Sequence, residues 1–132
     1  LYSSVRPFGA SVLVAAGDGA VYVCEPSGQC SAMRAAAVGR YRQHARTELE
    51  KLLPSLDAGQ LGKEAAVDAA VRILLVARQE DPAARDREHE IEVVVVGGAE
   101  GVVWLSQAEV EASQARAEAA IAASMEYEQV SV

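Results

Sequence analysis

Aromatic anchors are nearly missing from this chain: one Phe and one Trp stand beside twenty-six alanines and eighteen valines. A core made from it consists of small side chains, and such cores lean on neighbours. Cysteine is equally scarce. Cys24 and Cys30 are too few for a disulfide scaffold and lack CxxC spacing, which predicts a reducing compartment, the cytoplasm and nucleus. No apolar stretch approaches the roughly 20 residues that a membrane helix needs; residues 12–16 and 73–77 are typical of the longest. Bases are outnumbered, twelve Lys and Arg against nineteen Asp and Glu. The net charge of −7 repels a phosphate backbone, so neither nucleic acid nor an anionic membrane is an expected partner. The chain opens at Leu1 with neither an initiator Met nor the basic and apolar blocks of a leader, and is expected to be a fragment.

What is present suffices for one hydrophobic core: 132 residues, 51% of them apolar. Residues 8–16 read as a strand buried on both faces. Gly17, Asp18 and Gly19 then supply a tight turn into a strand over residues 20–25, and Pro26, Ser27 and Gly28 turn into a third over residues 29–38. Both connections are too short for a parallel crossover, so a three-stranded antiparallel meander is predicted.

From Arg40 the period lengthens to about 3.6 residues, with Tyr41, Ala45, Leu49 and Leu52 on one helical face, and this helix is expected to stop before Pro54. Asp57 is the expected cap region of a second helix reaching Gln79, whose Leu61, Ala65, Val71, Leu74 and Leu75 predict a deeply buried stripe. A charged loop over residues 80–90 follows, in which Pro82 forces Asp81 out of helical conformation. Residues 91–96 and 102–105 make a second hairpin across Gly97 to Gly101. Ser106 and Glu109 form a capping box that starts a last helix, running to about Tyr127 with Val110, Ala117, Ile121 and Met125 on one face. With no repeat or linker, the order of elements implies an α+β layered sandwich in one domain, residues 1–132.

Chemistry is sparse. His44 and His89 sit in no metal-binding spacing and read as surface histidines. Cys24 lies within a strand with nothing local to lower its pKa, and reads as buried apolar filler instead of a nucleophile paired with His44. The glycines of residues 97–101 lack the Lys and Ser/Thr of a phosphate loop. Acid clusters over residues 86–92 and 109–118 read as solvated surface. No catalytic, cofactor-binding or metal-binding residue is assigned, and no cofactor is expected.

Taken together, Arg6, Pro7, Phe8 and Gly9, the apolar strand to Ala16 and Gly17, Tyr22 and the turn at Pro26, Ser27 and Gly28 resemble the middle of a 20S proteasome α subunit. Arg34 and Ala35, then Gly39, Gln43 and the run from Ala45 to Glu50, are similar to the helix that follows that family's third strand. Residues 91–93 and 109–111 extend the likeness, which looks most like the eukaryotic type 1 (α6) branch. Glu25 departs from the Asp usual in the family, Ala10 from its Val, and the turn at Gly17 to Gly19 is short for it. The resemblance implies the C-terminal portion of a single α-type domain. Its fold would be an antiparallel two-sheet sandwich flanked by helices, the αββα arrangement of N-terminal nucleophile hydrolases, here incomplete.

It also implies a non-catalytic role: ring assembly, gated substrate entry and docking of regulatory particles in ubiquitin- or ATP-dependent degradation. Neighbouring α subunits, β subunits and a regulatory particle would be its partners. The related β subunits use an N-terminal Thr, whereas residue 1 here is Leu and the one threonine, Thr47, falls inside a helix. Lys51 and Lys63 match none of the lysines that line the family's activator pockets. A threonine-type hydrolase and an unrelated α+β interaction module stay open as alternatives.

Overall fold

The computed structural model describes residues 9–130; Arg6, Pro7 and Phe8, which opened the resemblance, lie outside them. The chain divides into two compact units. One holds the described residues up to Leu53 with Val95–Val103, the other Pro54–Val94 with the residues from Trp104 onward.

In the first unit, β1 (Val12–Ala15), β2 (Val21–Cys24) and β3 (Cys30–Met33) form the predicted antiparallel meander in the order β1-β2-β3. Its two turns use one device: a three-residue loop ending in a glycine with positive φ, Gly19 at 86° and Gly28 at 88°. Only glycine enters that region without a Cβ clash, which is why each turn carries one at its last position. The Asp18 carboxylate accepts the Ala20 N–H at 3.0 Å and fixes the first turn further.

Two expectations fail here. Instead of being buried on both faces, β1 is exposed at every residue, with Val12, Leu13 and Val14 at 51, 41 and 46%. Among the described residues it is an edge strand, hydrogen-bonded to β2 alone. The third strand is four residues, not ten, because the ladder runs out where β2 begins: Val21↔Met33 is the last pair. Ala35 to Val38 continue half-buried without strand structure.

Helix α1 (Arg42–Asp57) begins after Tyr41, whose φ of 61° is unusual for a residue with a Cβ. It does not stop at Pro54. The proline is accommodated within the last turn, and the helix ends in a Schellman motif. Gln60 N–H donates to the Ser55 carbonyl at 3.0 Å and Gly59 N–H to Leu56 at 3.1 Å, with Gly59 at φ 67°. Asp57 is therefore the last residue of α1, not the cap of the next helix.

The second unit is organised by α2 (Lys63–Gln79) and α4 (Gln107–Val130), which pack against each other. Val71, Leu75 and Ala117 make its buried cluster, with Val67, Ile91, Val93 and Ile121 packed around them. Ile73 is buried as well, but Leu74 is 52% exposed, so the expected stripe is narrower than its apolar residues suggest. A short helix α3 (Pro82–Arg85) interrupts the charged loop. Asp81 caps it: extended as predicted, it accepts the Ala83 N–H on its carboxylate at 3.0 Å.

The ribbon of β4 (Val94–Val96) and β5 (Val102–Trp104) forms a sheet separate from the meander. Leu105 N–H reaches the Val93 carbonyl at 2.9 Å, adding a bond beyond the strand ends. The capping box forms as predicted. Ser106 N–H donates to the Glu109 carboxylate at 2.8 Å, and Glu109 N–H returns to the Ser106 hydroxyl at 3.3 Å. Along α4, Val110 and Ala117 are buried as expected, whereas Met125 is 56% exposed.

Candidate functional site

The most organised polar constellation among the described residues lies between α2 and α4. Asp68 sits on the second turn of α2, while Ser113 and Arg116 occupy one face of α4 at i and i+3 spacing. The Ser113 hydroxyl donates to Asp68 Oδ1 at 2.6 Å. Arg116 adds a fork, Nε to Oδ2 at 2.9 Å and Nη2 to Oδ1 at 2.9 Å. Such bidentate geometry matches the planar guanidinium to the carboxylate and fixes both side chains.

The cluster's electrostatics follow from these contacts. Hydrogen bonds from Arg116 and then Ser113 hold the Asp68 carboxyl below its ordinary range, against a smaller opposing effect of desolvation. Asp68 in turn holds the Arg116 proton more firmly. Glu64 reaches Arg116 at 3.8 Å, but its side chain is 83% exposed and the contact adds little. Ser113 is 1% exposed and gives its proton to an anion already engaged by arginine. That arrangement does not prepare a nucleophile, which needs a base free to accept the proton. The constellation clasps two helices.

The residues weighed in the sequence lie elsewhere. Thr47 donates its hydroxyl to the Gln43 carbonyl one turn back in α1 at 3.0 Å, an ordinary helical back-bond. His44 is on the exposed side of α1, and His89 Nδ1 lies 2.7 Å from the Arg87 carbonyl on an exposed loop. Glu109 is spent on the Ser106 cap, whose hydrogen bonds hold its carboxyl below the usual range. Among the described residues, no three His, Cys, Asp or Glu side chains converge as metal ligands. Cys24 is not unpaired apolar filler: it is half-buried and joined to Cys30 by a disulfide across β2 and β3.

Composition alone did not expose the clasp. Asp68 is a charge inside an otherwise apolar stretch of helix, and a partner on a distant helix is the usual reason for such a placement. Its partners, 45 and 48 residues away, could not be chosen by spacing.

Open clefts exist in both units. One of about 270 Å³ runs between β2, β3 and α1, lined by Val23, Met33, Leu49 and Leu53 with Arg46 and Glu50 at its edge. Another of about 340 Å³ lies between α2 and α4 by Leu75, Arg78, Ile121 and Met125.

Comparison with known proteins supplies what the geometry does not. Residues 1–96 match the Proteasome family, described as proteasome subunit. The chain is 42% identical over 99 residues to the "Probable proteasome subunit alpha type-7" of Schizosaccharomyces pombe, covering 73% of this chain and 36% of that protein. To the protein of the same name in Saccharomyces cerevisiae it is 38% identical over 96 residues, covering 70 and 32%. To the "Proteasome subunit alpha type-3" of Drosophila melanogaster it is 34% identical over 109 residues, covering 80 and 40%. The chain thus spans about a third of the length of these relatives. Their names carry types 7 and 3 and lend no support to the type 1 resemblance.

Proposed function

Because this chain belongs to the proteasome subunit family, we propose that it is the C-terminal portion of a single α-type domain, a non-catalytic structural piece of the 20S proteasome α ring. The observation that carries the reading is the agreement of the α-type names, beside a family match over residues 1–96 that includes the meander, α1 and α2. In a ring it would contribute to assembly, to gated entry of substrate and to docking of regulatory particles in ubiquitin- or ATP-dependent degradation. Neighbouring α subunits, β subunits and a regulatory particle are the proposed partners, and the cytoplasm and nucleus the proposed locations.

Three structural features support it. The mixture of helices with antiparallel strands suits the two-sheet αββα sandwich of N-terminal nucleophile hydrolases, of which these elements would be part. The exposed apolar face of β1 suits a strand that other protein covers. Thr47, held in a helical back-bond, is not set up for attack.

Native separation of an extract containing the protein tests the proposal. It should migrate in an assembly many times its own 13.9 kDa, together with proteasome β subunits. Thr47→Ala should leave the peptidase activity of that assembly unchanged. A monodisperse monomer in the extract, or loss of peptide hydrolysis with Thr47→Ala, would overturn it.

A further inference from the structure

The pair Cys24 and Cys30 is absorbed by none of the foregoing. The two residues face each other in the register of β2 and β3, with Cα atoms 4.1 Å apart. The next pair toward the turn is hydrogen-bonded, since Glu25 N–H donates to the Gln29 carbonyl at 2.9 Å. By the alternation of an antiparallel ladder, Cys24 and Cys30 therefore occupy a non-hydrogen-bonded site, where facing side chains come closest. The sulfurs are brought together by the strand register itself, and the bond staples the hairpin where it enters its turn. Their surroundings differ: Cys24 is half-buried and Cys30 exposed.

We infer that Cys24 and Cys30 are a reversible thiol–disulfide pair, a redox-sensitive clasp on the β2 to β3 hairpin that exchanges with a glutathione-class thiol through the exposed Cys30. The thiolate of one such molecule attacks Cys30 Sγ; the bond to Cys24 breaks, and Cys24 leaves as a thiolate that takes up a proton. A second thiolate attacks the sulfur of the first in the mixed disulfide. Cys30 is released as a thiolate and takes up a proton, and the two small thiols depart joined by a disulfide. Two electrons pass from the small thiols to the protein pair, and reversal restores the clasp.

The switch has a local target. Val23 and Ser31, the ladder pair beside the clasp, line the cleft against α1, together with Met33 and Leu49. Four residue pairs join β2 to β3, so the clasp ties a large share of a short ladder. Opening it frees the turn end of the hairpin and, with it, one wall of that cleft.

The experiment equilibrates the purified protein across graded ratios of reduced to oxidised glutathione, quenches with acid, alkylates, and reads intact mass and amide exchange. Zero and two alkyl groups should interchange over the series with little singly modified species, and amides of residues 21–33 should exchange faster in the reduced form. Cys30→Ser and Cys24→Ser should each abolish the paired transition and show fast exchange at every ratio. Two alkylations even in the most oxidising mixture, none in the most reducing, or equal exchange in both forms would overturn the inference.

Discussion

The meander and the helix pair spend the same kind of residue in opposite ways. In the helix pair, Val71 is fully buried at 0%, Val110 at 2% and Ala117 at 3%, so small side chains are enough to close an interface between helices that approach closely. In the meander, only Val23 reaches burial, while Val12, Leu13, Val14 and Met33 remain 41 to 51% exposed. A helix interface is completed by two elements. A sheet needs a layer on each apolar face, and over β1 the described residues supply none. Apolar content therefore measures what a segment can bury, not what it does bury alone.

Substitutions break that contrast in order of size. Val71→Asp places an unpaired charge at a fully buried site and should cost about 4 kcal/mol or prevent folding. Val12→Asp in the chain alone should stay within about 0.5 kcal/mol. Denaturant titration of both variants checks the comparison, and equal losses would mean that β1 is covered after all.

Asp68→Asn comes next. It keeps the volume but removes the charge that Ser113 and Arg116 address, with an expected loss of about 1 to 3 kcal/mol in the same titration. The clasp also sets a pH dependence. The folded-state pKa of Asp68 is depressed, so its contribution is whole above the ordinary aspartate value of about 3.9 and is lost as pH falls through the lower folded value. Stability measured from pH 6 down to acid should fall less steeply in Asp68→Asn than in the parent; parallel curves would remove the carboxylate from the account.

Smaller effects sharpen the view of the helix ends. Gly59→Ala forces a Cβ into the left-handed position of the Schellman motif and should cost about 1 kcal/mol. Ser106→Ala removes one half of the capping box, with a loss of about 1 kcal/mol or less, read as a lower thermal midpoint.

Much of the local structure could be read from the residues because its causes are local. Glycines closing the hairpins, the Ser106 to Glu109 box and the extended Asp81 before Pro82 act within four residues of themselves. The errors have equally definite causes. Pro54 predicts a helix stop but is tolerated in the final turn, and Asp57 resembled a cap only while Gly59 was not recognised as the terminus of α1. Leu74 counted toward a buried stripe, although its position on α2 turns it to solvent. Nor could a count of two cysteines show that the register would set Cys24 opposite Cys30.

The sequence by itself determined where the chain turns, where α4 is capped, the antiparallel sense of both hairpins and, through motif order, the family, since short-range sterics and hydrogen bonds decide the first three and residue identity carries the last. Only the tertiary structure decided which apolar residues are covered and that Asp68 meets Ser113 and Arg116. Burial and ion pairing between distant elements depend on how helices and strands are set against one another, and nothing within a four-residue window encodes that.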